Sequence, residues 1–279
     1  MKISEILKTS TDVLRESGVA EPRREANSLL AFALNKNQTF LIAHDDYELS
    51  DEEKNNYRQF INRRANREPF QYIVGKQEFY GLDFSVTPDV LIPRPETELL
   101  VETAIEILAE NAKFCEVGVG SGCVCVSILH EIKTSAAIGL DISEAALRIA
   151  RKNAEINNVS ERLKLKQSDV FEILNEERFD LIVSNPPYIS VEEMKFLQTE
   201  VRGFEPETAL TDGKDGLSII ENIINAAPRF LSEKGFLLLE IGYQQSADVQ
   251  KMFDESVWRK VEALKDLQQI ERIIKAEKI

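Results

Sequence analysis

The sequence has few of the residues that bind metals or form disulfides: three cysteines and two histidines among 279 residues. Cys115, Cys123 and Cys125 cannot all pair, and His44 and His130 do not complete a zinc-ligand spacing with them. We therefore expect three reduced cysteines in the core and no metal site.

The sequence also lacks a long hydrophobic run. The longest weakly polar stretch, Val117–Leu129, contains three glycines and is shorter than the ~20 residues that a bilayer requires. Charged residues at Lys2, Glu5 and Lys8 stand where a signal peptide would have its apolar segment. We expect a cytoplasmic protein with no membrane contact.

Basic residues are scarce, because 34 Lys+Arg face 48 Asp+Glu and leave a net charge of −14. Nucleic-acid binding needs a basic face, so this balance argues weakly against it. The charge is uneven: residues 1–68 carry −1 and residues 69–279 carry −13. The near-neutral part holds Arg58, Arg63, Arg64 and Arg67, which form either a solvated helix face or a partner-binding patch.

Apolar residues, in contrast, make up 43% of the chain and are spread along all of it, which excludes a disordered protein. Residues 1–68 have helical spacing, with a capping-box pattern at Ser50 and Glu53, and we expect a small helical domain there. In residues 69–95 β-prone residues such as Tyr72 and Val74 alternate with glycine and proline, which indicates a hairpin linker.

Residues 96–279 begin with a helix and then alternate short apolar runs with helical patterns. This alternation predicts an α/β fold with a mainly parallel sheet covered on both faces. The expected strands are Phe114–Val117, Ala136–Leu140, Leu163–Leu165, Leu181–Val183 and Phe236–Ile241.

A glycine-rich loop follows the first of these strands and precedes a helix, where α/β proteins bind nucleotides. Its pattern, E-x-G-x-G-x-G, resembles motif I of class I S-adenosylmethionine-dependent methyltransferases. The loop residues are Gly118, Val119, Gly120, Ser121 and Gly122. Asp141 ends the next strand, where an acidic residue can accept hydrogen bonds from both ribose hydroxyls.

The resemblance also implies that Asp169 and the backbone N–H of Val170 contact the adenine. For Asp169 a role as a helix N-cap is an equally good interpretation. For Asp141 that alternative is weaker, because Ser143 is a competing cap.

The tetrapeptide Asn185-Pro186-Pro187-Tyr188 follows the fourth strand, beside the glycine loop. The Asn185 side-chain oxygen and the Pro186 carbonyl can each accept one hydrogen of a planar –NH2 group and so position its nitrogen for methyl transfer. Pro187 stiffens the turn, and Tyr188 offers a face to the flat group. The –NH2 could belong to adenine or cytosine in nucleic acid or to a glutamine side chain, and the tetrapeptide alone does not decide.

Further motifs resemble the HemK/PrmC family, the peptide chain release factor glutamine methyltransferases. They occur in order along nearly the whole chain: Pro69–Gly75, Glu78–Leu82, Leu91–Leu100, Asn185–Ser190, Phe204–Pro206, Asp215–Leu217, and Leu239–Gly242 with Gln244.

The resemblance implies a helical domain at 1–68 that docks a release factor, a hairpin linker at 69–95, and a seven-stranded, Rossmann-like methyltransferase domain at 96–279 with its last strand antiparallel. It implies transfer of methyl from S-adenosyl-L-methionine to the glutamine of the Gly-Gly-Gln motif in class 1 release factors, leaving S-adenosyl-L-homocysteine. We expect a monomer without metal or nucleic-acid substrate.

Three alternatives stay open: glutamine methylation of a ribosomal protein, N6-adenine methylation of nucleic acid, and a non-catalytic cofactor-binding scaffold. The scaffold hypothesis arises because motif I has Glu116 where the family usually has Asp and Val119 where it usually has Thr. Glu116 keeps the charge, whereas Val119 removes a hydroxyl and could weaken cofactor binding.

Overall fold

A computed structural model describes all 279 residues. The chain forms two compact units, one of residues 1–75 with 198–204 and one of residues 76–197 with 205–279. The helices are α1 (Ile3–Glu16), α2 (Pro22–Leu34), α3 (Gln38–Ala43), α4 (Asp51–Ala65), α5 (Phe70–Val74), α6 (Glu98–Ile107), α7 (Cys123–Glu131), α8 (Glu144–Ile156), α9 (Val191–Met194), α10 (Thr199–Phe204), α11 (Ser218–Ala226) and α12 (Ser246–Gln250). The strands are β1 (Lys76–Phe79), β2 (Leu82–Ser85), β3 (Lys113–Val117), β4 (Ala136–Asp141), β5 (Leu163–Gln167), β6 (Phe179–Ser184), β7 (Leu231–Glu240), β8 (Trp258–Lys265) and β9 (Glu271–Lys278).

The helical unit is built on α1, α2 and α4, whose apolar faces meet in one core. Tyr57 is fully buried there, and its hydroxyl donates to the Ala26 carbonyl at 3.1 Å. The predicted capping box is confirmed: Ser50 Oγ accepts from Glu53 N, and Glu53 Oε2 accepts from Ser50 N. These two bonds satisfy donors that the first turn of α4 would otherwise leave free.

Three arginines of the cluster, on α4 and just after it, form internal ion pairs. Arg63 pairs with Glu68, and Arg64, only 5% exposed, pairs with Glu25. Both Arg64 and Arg67 also pair with Glu200 of α10, at 3.0 and 2.6 Å. The interpretations of a solvated helix face and of a partner-binding patch are therefore both wrong for Arg64. Three of the four guanidinium groups in the cluster form ion pairs with carboxylates.

The predicted hairpin is β1–β2, joined by Tyr80 and Gly81. Both residues have positive φ, +52° and +70°, as a two-residue hairpin turn requires. The prediction of β structure at Tyr72 and Val74 is wrong, because these residues lie on α5. Packing of the helical turn against the helical core outweighs their β-propensity.

The second unit contains a seven-stranded sheet with the order β5-β4-β3-β6-β7-β9-β8. All strands run parallel except β9, which pairs antiparallel with both β7 and β8. The α/β fold with an antiparallel last strand is thus confirmed. All five predicted strands are present.

Alternate residues of the central strands point into two separate cores. On β3, Phe114 packs with α6, α7 and α8, whereas Cys115 and Val117 pack with α11 and α12. This alternation follows from the two-residue period of a strand and explains why the apolar runs are continuous. All three cysteines are unpaired. None of the helices meets the length and hydrophobicity required to cross a bilayer.

Candidate active site

A cavity of about 280 Å³ lies at the carboxyl ends of β3, β4 and β6. This is the edge of the sheet where doubly wound proteins bind ligands. Nine of the predicted site residues line it: Gly118, Val119, Gly120, Ser121, Asp141, Asp169, Val170, Asn185 and Pro187. The other three, Gly122, Pro186 and Tyr188, do not line it.

The glycine loop turns sharply away from β3. Gly118, Gly120 and Gly122 have φ of +75°, +52° and +82°, which L side chains rarely adopt. A Cβ on Gly122 would lie 3.3 Å from the Ala150 backbone, so this glycine allows α7 and α8 to pack closely instead of facing the cavity. The Val119 side chain is buried and gives the loop an apolar wall.

Asp141 ties the end of β4 to this loop. One carboxylate oxygen accepts from Gly120 N at 2.8 Å and the other from Ser143 N at 2.9 Å. Burial raises the pKa of Asp141, opposed by hydrogen bonds from Ser143, Gly120 and Ile142. The predicted helix cap is Ser143, whose Oγ accepts from Ala146 N. Asp141 therefore faces the cavity with both oxygens already oriented.

Glu116 lines the cavity and caps the N-terminus of α7. Its Oε2 accepts from Cys125 N at 2.9 Å in the first turn of α7, whose N-cap Gly122 has no side chain to do so. The carboxyl is only 2% exposed, and burial raises its pKa to about 8.

Asp169 and Val170 lie in a turn after β5. The Asp169 carbonyl accepts from Glu172 N, and no helix begins there, so the N-cap alternative for Asp169 is wrong. Val170 has φ of +45°, which costs a β-branched residue roughly 1–2 kcal/mol. Strained residues of this kind cluster at ligand sites.

The tetrapeptide follows the end of β6. Asn185 and Pro187 line the cavity, whereas Tyr188 packs against the core. The Asn185 side-chain nitrogen donates to Thr97 Oγ1 at 3.2 Å, which fixes the orientation of the amide. Pro187 lines the cavity, whereas the Tyr188 ring packs against the core below it and its hydroxyl donates to Glu240. The expectation that Tyr188 faces the substrate stays a prediction.

Sequence reasoning missed the role of Thr97 and the ion pair of Arg94. Thr97 and Arg94 both line the cavity, and Arg94 pairs with the buried Glu205 at 2.6 Å. The available signal was the rigid Pro93-Arg94-Pro95 segment directly before Thr97. Nothing in the sequence indicated which distant groups it would contact.

Comparison with known proteins follows the same division of the chain. Residues 5–75 match the family described as PrmC N-terminal domain, and residues 95–201 match the one described as methyltransferase small domain. A release factor glutamine methyltransferase of Geobacter sulfurreducens is 40% identical over 98% of this chain and 95% of its own length. The chain belongs to the release factor glutamine methyltransferase family.

A second member of the release factor glutamine methyltransferase family, from Neisseria gonorrhoeae, is 41% identical over 90% of this chain and 92% of its own. The fold is shared more widely. A methyltransferase from Pyrococcus furiosus superimposes with a TM-score of 0.54 at 17% identity, covering 80% of this chain and 98% of that one. The resemblance in the sequence motifs is therefore confirmed at the level of the family.

Proposed function

We propose that this protein transfers a methyl group from S-adenosyl-L-methionine to the side-chain amide nitrogen of the glutamine in the Gly-Gly-Gln motif of class 1 release factors. The product of the cofactor is S-adenosyl-L-homocysteine. One observation carries the proposal: Asn185, with its amide nitrogen held by Thr97, lines the same cavity as the glycine loop. Membership of the family supports the choice of substrate.

The residues around the cavity fit this cofactor. Positive φ at Gly118 and Gly120 lets the backbone approach a ligand closely, and the Asp141 carboxylate, which lines the cavity, would accept from the two ribose hydroxyls. Asp169 and Val170 would contact the adenine. When bound, S-adenosyl-L-methionine supplies an electrophilic methyl group.

Asn185 and Pro186 act on the substrate amide. Because the Asn185 nitrogen is engaged by Thr97, its side-chain oxygen is the free end of the amide and accepts one substrate N–H. The Pro186 carbonyl, in the turn between the cavity-lining residues Asn185 and Pro187, would accept the other. An amide nitrogen is a weak nucleophile, and orientation at reacting distance can lower such a barrier by roughly 7–11 kcal/mol. The substrate nitrogen gains the methyl group and releases one proton.

The charge distribution supports a protein substrate over a nucleic acid. Residues 69–279 carry −13, and three arginines of the cluster in the helical unit are paired with carboxylates. Binding of nucleic-acid phosphates would require unpaired Lys or Arg side chains in residues 69–279 and in this arginine cluster. The near-neutral residues 1–68 are our proposed docking domain, and we propose a cytoplasmic monomer because release factors act on cytoplasmic ribosomes.

The test is incubation with labelled S-adenosyl-L-methionine and a purified class 1 release factor, beside a release factor whose Gly-Gly-Gln glutamine is changed to alanine. We expect label in the first and none in the second. Equal labelling of both would overturn the proposed site. Label in ribosomal protein or nucleic acid, and none in release factor, would overturn the proposed substrate.

A further inference from the structure

Tyr188, the last residue of the tetrapeptide, is held at both ends by the segment that closes β7. Its hydroxyl donates to Glu240 Oε1 at 3.3 Å, and its carbonyl accepts from Gln245 Nε2 at 2.9 Å. Gln245 Oε1 in turn accepts from Gly242 N at 2.8 Å. These residues belong to the Leu239–Gly242 motif and its flank, which the proposed reaction leaves without a role.

Glu240 is the centre of this arrangement. It is the last residue of β7 and only 2% exposed, and its second oxygen, Oε2, has no hydrogen-bond partner. Interaction with the Thr97 hydroxyl lowers the pKa of this carboxyl. Thr97 is also the acceptor for the Asn185 amide. One buried carboxyl therefore interacts with the hydroxyl of Tyr188, the last residue of the tetrapeptide, and with the Thr97 hydroxyl, which contacts the first residue, Asn185.

A buried carboxylate costs several kcal/mol unless it is well paired, so an apolar residue would be more stable at this position. We propose that Glu240 is a positioning residue: it orients the Asn185 amide through Thr97 and fixes the Tyr188 hydroxyl directly. The inference rests on the proposed function, since it assigns Asn185 to the reacting amide. It gives Tyr188 the role of an anchor for the turn.

The ionisation of Glu240 should control this arrangement. Burial raises its pKa to about 7, opposed by Thr97, Tyr188 and Arg272, while Glu96 raises it further. The Cys123 thiol on α7 also faces this charge, because burial, Glu116 and Glu240 together raise the pKa of that thiol. The ionised carboxyl can accept from both hydroxyls at once, whereas the protonated form loses one acceptor position. The ordered state of the tetrapeptide is thus favoured as the pH rises through about 7.

Glu240→Gln tests the proposal because it keeps the size of the side chain and removes its titration. At saturating cofactor we expect kcat for release-factor methylation to fall roughly 10- to 100-fold, since misplacement of a reacting group carries a penalty of this size. The dissociation constant of the cofactor should stay within threefold. The rise of kcat with pH near 7 should be absent from the variant.

Two controls separate positioning from general stability. Glu277→Gln alters a carboxyl as buried as Glu240, on β9, where it pairs with Arg259 and Lys260 away from the cavity, and it should leave kcat and its pH profile unchanged. Thr97→Ser keeps the hydroxyl and should retain kcat within a few-fold, whereas Thr97→Val should reproduce the loss seen in Glu240→Gln.

The side-chain NH2 resonances of Asn185 test the inference without any substrate. In the wild type they should shift with pH with a midpoint near 7, and in Glu240→Gln they should not. An unchanged kcat in Glu240→Gln, or Asn185 resonances that titrate alike in both proteins, would overturn the inference. A wild type that titrates as expected but does not methylate a release factor would overturn the proposed function alone.

Discussion

Thr97 accepts a hydrogen bond from the Asn185 side chain, 88 residues later in the chain, at 3.2 Å. The contact joins the segment before α6 to the turn after β6. It leaves Asn185 Oδ1 as the acceptor end of the amide, which is the atom that the proposed reaction uses. The orientation of the tetrapeptide is therefore set by a long-range contact in addition to its two prolines.

Asn185→Ala should abolish methyl transfer and spare cofactor binding. The substitution removes the acceptor for the substrate amide, so we expect kcat/KM for the release factor to fall at least 10³-fold, on the scale of lost positioning. Calorimetry should give a cofactor dissociation constant within threefold of the wild type. Activity comparable to the wild type would refute the role of Asn185.

Asp141→Ala should mainly weaken cofactor binding, whereas Asn185→Ala should mainly reduce methyl transfer. It removes the ribose acceptor and leaves Gly120 N without its partner, so the dissociation constant should rise by about 10- to 100-fold, or roughly 1.4–3 kcal/mol. Asp141→Asn keeps one acceptor oxygen, so its cofactor dissociation constant should lie between those of the wild type and Asp141→Ala. If kcat at saturating cofactor fell as far as in Asn185→Ala, the division of roles would be wrong.

Gly216→Ala should disturb the tetrapeptide through its backbone. A Cβ at this position would lie 2.1 Å from the Tyr188 carbonyl oxygen, which no real structure tolerates. Gly213→Ala is the matched control, because φ is +75° there and +80° at Gly216, but nothing lies within 4 Å of its Cβ. Both variants should lose about 1 kcal/mol from backbone strain, and only Gly216→Ala should lose most of its methyl transfer.

The sequence predicted the sheet because its strands are apolar on both faces and alternate with helical patterns. It also located the cavity, since the glycine loop and Asn185 follow strands that the topology makes adjacent. It did not indicate that Gly122 serves helix packing, that α5 is helical, or that Thr97 and Glu240 approach the tetrapeptide. Each of these depends on residues distant in sequence, which local patterns do not encode.

Glu116 should make the stability of the second unit depend on pH. Burial raises the pKa of Glu116 to about 8, so the folded state holds this proton more tightly than the unfolded state. The contribution to stability is present at acidic pH and is lost as the pH rises from about 4.5 to 8, on the order of 5 kcal/mol. Glu116→Gln removes this dependence.

Thermal unfolding at pH 5 and pH 8 checks the Glu116 prediction. The melting temperature of Glu116→Gln minus that of the wild type should be larger at pH 8 than at pH 5. A difference in melting temperature that does not change with pH would contradict it.

Glu200→Gln should weaken the helical unit, because it leaves Arg64 and Arg67 with one charge partner fewer. The loss of stability should be about 1–2 kcal/mol, below that of an unpaired buried charge, because Arg64 keeps its pair with Glu25 and the Gln side chain keeps one acceptor oxygen. Hydrogen exchange of the α4 amides should accelerate accordingly. Glu192→Gln, which removes an exposed pair with Lys195, is the control and should change exchange little. Equal effects of both substitutions would refute a structural role for the Glu200 network.

Mass mapping of a release factor after incubation with this protein and S-adenosyl-L-methionine is the decisive test of glutamine methylation. We expect one added methyl group on the glutamine of the Gly-Gly-Gln peptide with the wild type and none with Asn185→Ala. Methylation at another residue, or an unmodified glutamine with an enzyme shown to bind the cofactor, would contradict it.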